Sequence, residues 1–400
     1  MKDFFASLNK KDRGLVLNMF FAFFVMGIYV LMIGSILPMM KAEYNLSYEV
    51  SGFILSIHNL GNMIAGLLAG VITMVISIKR SFVLSLIIAA VGFIVTIITG
   101  NPILLLTAFA LTGIGRGVAN NYANLTVSTI GKGRSEPNNM LHSCFAIGAL
   151  LSPFLVMLLT KNDPGKWKIV VIIVAVLLMV SIILSIPMDM SRIEYDKGDQ
   201  KADRTLNFFK DKRFLLPTIC MFFYQCVEAT LMGWLVSYFV ESGFVSESFS
   251  QTFSSILWLS ILVGRLACVA IASRVHSPQM VKILSIGMLL FSILLLFTNS
   301  FPLAIIATVG LGLAASGMFG TIMACGGDVF ANYTFAMSAF IAVAGAGASA
   351  WPAVVGLIAG AFGMKAGMSS ILFPGAILVV FSFINNAYFV KRKLQKKENK

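Results

Sequence analysis

Glu228 stands inside a long apolar run, with Tyr224 four residues and Gln225 three residues before it. On a helix these three side chains share one face. Placing a charge at the centre of a bilayer costs about 2.5–3.5 kcal/mol on insertion scales, so an acid kept there is a functional candidate. A carboxyl group can exchange hydrogen bonds with hydroxyls, and desolvation brings it toward the range where it trades a proton. Glu228 is therefore a candidate for both substrate binding and proton coupling.

A second group centres on Arg116, in the apolar run 102–129, where Thr112, Arg116, Asn120 and Asn124 recur every four residues and make a polar stripe on one helical face. Arg116 fits either a counter-ion to Glu228 or a planar donor fork for an anionic solute. His58 and Asn62, four apart with Asn59 beside His58, mark another polar face. A histidine there either shuttles protons or ties helices together by a hydrogen bond. Trp234 and Tyr238 lie further along the run that holds Glu228, placed to stack on a sugar ring, to form an outer gate or to anchor at the interface. Tyr29 is a further cavity candidate. Arg265 and Asp328 read as a structural or gating pair.

These residues need elements to hold them, and the composition says which kind. Of 400 residues, 58% are hydrophobic and 12% charged, half the charge of an ordinary soluble domain. A helix crossing a ~30 Å hydrocarbon layer needs about 20 apolar residues. Apolar runs fall near 14–39, 47–76, 81–99, 102–129, 138–160, 168–187, 214–240, 249–271, 279–298, 302–329, 334–361 and 368–390. The expectation is an all-α membrane protein with twelve transmembrane helices. The net charge of +13 does not point to nucleic acid, because the basic residues cluster between apolar runs and at the ends. Cys144, Cys220, Cys226, Cys268 and Cys325 all lie in apolar runs without metal-ligand spacing, so neither a metal nor a disulfide framework is expected.

With the N-terminus inside, Lys2, Lys10, Lys11, Arg13, Lys79, Arg80, Lys132, Arg134, Arg274 and the basic tail Lys391 to Lys400 fall on the cytoplasmic side. The opposite loops hold only Lys41, Lys161, Lys166, Lys168 and Lys365. That asymmetry sets both termini in the cytoplasm and suits a multi-pass protein of the cell membrane. The hydrophilic stretch 188–213 reads as a cytoplasmic linker between a six-helix half, 1–187, and a second half with its basic tail, 214–400.

The halves repeat. Gly148 and Pro153 in run 5 match Gly347 and Pro352 in run 11 at a shift of 199; Gly66 matches Gly264 at 198; Gly113 and Gly115 match Gly310 and Gly312 at 197. A near-constant shift with order preserved implies two parallel six-helix repeats.

With those motifs in place, the chain resembles the major facilitator superfamily over essentially its whole length. YQCVEATLMGWLVSY, holding Tyr224, Cys226, Glu228, Trp234 and Tyr238, is similar to the span 7 signature of the fucose permease-like sugar:proton symporters, with Cys226 where that group usually has glycine. HSCFAIGALLSP, His142 to Pro153, and VAGAGASAWPAVVG resemble their spans 5 and 11. The resemblance implies the major facilitator fold, with spans 1, 4, 7 and 10 around a central cavity and Arg116 and Glu228 on facing sides of it. It departs in lacking the acidic residue of the loop after span 2 and the carboxylates of spans 1 and 4.

The function so implied is secondary active transport: proton-coupled uptake of a monosaccharide or related small polar solute by alternating access. No Walker-type sequence offers ATP as a driver, no bound cofactor is expected, and no motif supports an enzyme. Expected partners are the solute, protons and membrane lipids, acting on a monomer. The alternatives are a proton-coupled exporter of drugs or metabolites, an organic-anion carrier using Arg116, and a receptor or scaffold built on the same fold.

Overall fold

Lipid offers no partner to a backbone N–H or C=O, so an apolar run that crosses it closes its hydrogen bonds within itself as a helix. The structure, a computed structural model, describes residues 8–131, 135–191, 193, 205–271, 274–333 and 335–398. Among these, twelve helical segments are long and apolar enough to span a membrane.

Helices α1 Lys10–Tyr44, α2 Tyr48–Ile72, α3 Ile78–Ile98, α4 Pro102–Ile130, α5 Ser135–Thr160 and α6 Trp167–Ser185 come first. Then follow α7 Lys212–Glu241, α8 Glu247–Ile271, α9 Ser277–Phe297, α10 Phe301–Ala315, α11 Met318–Cys325, α12 Gly327–Asn332, α13 Ala336–Phe362, α14 Met364–Ser369 and α15 Leu372–Glu398. α10 with α11 forms the tenth span, Phe301–Cys325, and α14 with α15 the twelfth, Met364–Arg392.

Capping sets ends that hydropathy does not mark. α1 starts before its apolar run because the Asn9 side chain accepts from Asp12 N, and it stops at Asn45, whose φ of 51° is left-handed. Asn101 accepts from Ile103 N and Leu104 N, and Pro102 then opens α4 with a φ already suited to a first turn. Asp211 caps α7 through Arg213 N. Two expected spans are interrupted. The tenth breaks at Ser316 and Gly317 and again at Gly326. The twelfth breaks before Leu372, where Pro374 cannot donate back to Ser370. Of the 188–213 stretch, the described part includes a 3-10 turn at Asn207–Lys210; Arg192 and residues 194–204 lie outside the described residues.

The chain divides into two compact units: Met1–Asp196 with Glu247–Ser255, and Lys197–Ser246 with Ile256–Lys400. The first turns of α8 thus belong with the first unit, where Gln251 Nε2 donates to Ser35 O at 2.7 Å. Within that unit α4 packs on α2 and α3, and α1 on α5. Within the second, α7 packs on α13 and α15, and α9 on α10. Large apolar side chains such as Ile98, Leu158, Ile183 and Phe297 stay more than half exposed, a surface suited to lipid rather than water.

Glycines set the closest approaches, and they show how the repeats correspond. A methyl at Gly148 would strike Phe24 O of α1, and one at Gly347 would strike Phe222 O of α7; the shifts are 199 and 198. Gly113 abuts His58 O, and Gly312 abuts Leu257 O, at a shift of 199 for both members. Gly117 lies on Gly66 as Ser316 lies on Gly264. The sequence pairing of Gly113 with Gly310 at 197 is therefore out of register, since Gly310 faces Phe291 of α9. Motif spacing alone cannot tell which neighbour each glycine touches.

Gly148→Val should overpack the α1–α5 contact by about 1–3 kcal/mol and lower the thermal midpoint in detergent. Gly320→Ala, where nothing lies within 4 Å, should leave it unchanged. Equal midpoints for both variants would show that this close approach is dispensable.

Candidate functional site

The first polar cluster exists because Gly113 and Gly117 let α2 and α4 touch backbone to backbone, which carries His58 against Thr112. His58 Nδ1 lies 2.9 Å from Thr112 Oγ1, and Thr112 spends its own hydroxyl hydrogen on Phe109 O at 2.8 Å. Thr112 must then accept, so Nδ1 carries the ring hydrogen and Nε2 is left as an acceptor. Arg116 Nη1 is 3.5 Å from that Nε2 and 3.5 Å from Asn59 Oδ1. His58 is only 4% exposed while Arg116 is half-buried, so the guanidinium stands on a floor of neutral acceptors.

One turn along α4, Asn124 Nδ2 donates to Asn120 O at 2.8 Å and to Asn120 Oδ1 at 3.2 Å. Asn124 Oδ1 is then available to His142 Nε2 of α5, 3.1 Å away. His142 was visible in the sequence only as part of the run 5 motif, because a single histidine two turns into a helix carries no spacing signal. Tyr29 is fully buried, tilted against Phe93 with ring centroids 5.2 Å apart, and within the field of Arg116.

The second cluster is held by α7. Tyr224 Oη donates to Glu228 Oε1 at 2.6 Å, a short bond of the kind a carboxylate acceptor makes. The same hydroxyl lies 3.3 Å from Ala315 O at the end of α10. Tyr224 is 1% exposed, whereas Glu228 and Gln225 are half-buried. Arg265 of α8 is exposed, donates from Nε to Ser316 O at 3.3 Å, and reaches Tyr224 with its field. The Asp328 side chain, expected to pair with Arg265, lies outside the described residues.

Trp234 sits differently from its expectation. It is 0% exposed, and its Nε1 donates to Pro352 O of α13 at 3.0 Å, so it has no open face for a sugar ring to stack on and serves to join two helices. Tyr238 is buried too, donating to Leu295 O at 3.2 Å. Position near a helix end had suggested an interfacial ring; packing against α13 and α9 decides otherwise.

The structure thus groups His58, Asn59 and Arg116, then Asn120, Asn124 and His142, and separately Tyr224 and Glu228. Among the described residues no three His, Cys, Asp or Glu side chains come together as metal ligands would. Everything in these clusters can bind a polar solute or carry a proton, and none of it resembles a nucleophile with its base.

Comparison with known proteins bears on the fold and the family. Solved structures similar to this chain include a bacterial homolog of the human lysosomal transporter Spinster, inward-facing and unoccupied, at a TM-score of 0.79 and 14% identity over 96% of this chain and 99% of that one. The nucleoside transporter NupG matches at 0.75 and 15%, over 95% and 99%. The E. coli fucose:proton symporter FucP matches at 0.63 and 15%, over 94% and 99%. At such identities the likeness shows the fold. No curated protein matches the chain in sequence. The family model described as Major Facilitator Superfamily matches residues 19–283, more than half of the chain. The twelve apolar helices, the repeated packing and that match make this multi-pass membrane protein a member of the major facilitator superfamily.

Proposed function

We propose that the protein takes up a small polar solute, a monosaccharide or a chemically similar polyhydroxy compound, together with protons. The two six-helix halves, 1–187 and 214–400, would work by alternating access, with both termini in the cytoplasm of a cell whose surface membrane holds the carrier. The observation that carries this reading is the 2.6 Å bond between Tyr224 and Glu228 in the middle of α7. A carboxyl group so placed, half-buried and bonded to a phenol, has the two protonation states a symporter must link to solute binding. The names of structural neighbours lend support of a weaker kind: fucose:proton symporter, D-xylose-proton symporter and nucleoside transporter.

Each cluster has its task. Glu228 binds and releases the proton, with Gln225 beside it offering an amide to solute hydroxyls. Arg116, Asn120 and Asn124 supply donors along α4. His58 holds Arg116 in place: with Nδ1–H committed to Thr112, its Nε2 faces the guanidinium as an acceptor, so it acts as a support and not as a second proton carrier. Tyr29 and Trp234 pack within their own halves. The driving force would be the proton gradient, with lipid as the only other partner of a monomer.

In liposomes carrying the purified protein, an acidic exterior should drive accumulation of one or more labelled monosaccharides or nucleosides. Glu228→Gln should abolish that accumulation while leaving solute exchange at equal concentrations intact. Accumulation by the Gln variant equal to wild type would end the proposal.

Replacing Arg116 with Lys removes the planar fork but keeps the charge. Solute affinity should fall roughly tenfold, the size of one charge-assisted hydrogen bond. If affinity for a neutral solute is unchanged while binding of organic acids disappears, the anion-carrier alternative takes over.

Nitrogen NMR of ring-labelled protein should show His58 protonated at Nδ1 and bare at Nε2. Thr112→Val should mix the two forms. A doubly protonated ring at neutral pH would contradict the supporting role given to His58.

A further inference from the structure

The tenth span is broken where the proton site can reach it. α10 ends at Ala315 and α11 begins at Met318. The last carbonyls of a helix have no partner within it and need donors from elsewhere. Here side chains supply them: Ser316 Oγ donates to Leu313 O at 2.7 Å, Arg265 Nε to Ser316 O at 3.3 Å, and Tyr224 Oη lies 3.3 Å from Ala315 O. The Ala315 carbonyl thus lies within reach of the hydroxyl that also bonds Glu228 at 2.6 Å.

A phenol has one hydrogen to give. While Glu228 is a carboxylate it can only accept, so it takes that hydrogen and the Ala315 carbonyl keeps a long, weak contact. When Glu228 gains a proton from water, its own O–H becomes the donor. Tyr224 oxygen can accept it, and the Tyr224 hydrogen is released to turn toward Ala315 O. One O–H bond is formed at Glu228, none is broken at Tyr224, and the same proton leaves by the reverse step.

We infer that Tyr224 is a positioning residue through which the charge state of Glu228 tightens or loosens the cap on the broken tenth span. Protonation adds a good hydrogen bond at Ala315 O and firms the last turn of α10; deprotonation withdraws it. Arg265 holds the neighbouring carbonyl in both states, which confines the change to Ala315. The helices packed on α7 are α11, α13, α14 and α15. They bring Cys325, Lys365, Tyr388 and the end of α15, basic from Lys391 and closed by Glu398; α13 brings no titratable group, and α7 itself adds Lys212, Arg213, Cys220, Cys226, Tyr238 and Glu241. Arg265 lies close enough for its charge to act on the Tyr224 hydroxyl.

This inference rests on the reading of Glu228 as the proton site, and the test separates the two. Wild type, Tyr224→Phe and Glu228→Gln are placed in lipid nanodiscs at an acidic and an alkaline pH. Infrared difference spectra read whether the Glu228 carboxyl titrates, as the protonated carboxyl band missing from Glu228→Gln. Amide hydrogen exchange over residues 313–322, corrected for the intrinsic effect of pH, reads the break. In wild type, exchange there should slow roughly fivefold on acidification, the scale set by one net hydrogen bond. Tyr224→Phe should lose that difference while Glu228 still titrates. Glu228→Gln, whose amide also donates to Tyr224, should hold the slow rate at both pH values, which keeps the test alive should the Phe variant fold poorly. A titrating Glu228 with exchange that ignores pH in wild type, or that still follows it in Tyr224→Phe, overturns the inference and leaves the proton site standing. A Glu228 that does not titrate removes both.

Discussion

In hydrocarbon, water cannot satisfy a polar group, so a polar side chain there bonds within its own helix or to a neighbouring one, and between helices the acceptor is often a backbone carbonyl. Tyr122 reaches Ala69 O, Trp234 reaches Pro352 O, Tyr238 reaches Leu295 O and Tyr44 reaches Thr96 O. Such bonds fix how far one helix can slide along the next. They also order the two polar clusters: His58 lies against Thr112, and Tyr224 donates to Glu228.

The glycine contacts put the halves in register at a shift of 198 or 199, and in that register the chemistry does not repeat. Arg116 corresponds to Ala315, His58 to Leu257, and Glu228 to Val30. Backbone approach is common to both units, whereas the charged groups belong to one each. A duplicated scaffold has kept its packing and diverged in its polar content, as expected where packing tolerates little change and a cavity wall tolerates much.

Much of this could be read from residue types alone. Twelve spans followed from apolar runs, and Glu228, Tyr224, Arg116 and His58 followed from the cost of polar groups in lipid. The structure pairs them as helical spacing requires, at i and i+4 for Tyr224 with Glu228. What stayed hidden depends on neighbours distant in sequence. Trp234 looked like a ring awaiting a sugar until Pro352 claimed its N–H. The tenth span looked continuous, because Ser316 and Gly317 are ordinary residues in membrane helices and only Tyr224 and Arg265, from other helices, mark the carbonyls left over there. The tautomer of His58 required knowing that Thr112 gives its hydrogen to Phe109 O.

The length of α1 carries a consequence of its own. At 1.5 Å per residue its 35 residues make a rod about 52 Å long, against ~30 Å of hydrocarbon. Pro38, which removes one rung from the ladder near the C-terminal end, supplies a natural place to bend. The surplus must project among headgroups or lean within the bilayer, and both couple the helix to membrane thickness. α1 is also the most enclosed of the twelve spans, so a change in acyl-chain length would be felt through buried contacts rather than through lipid-facing side chains alone.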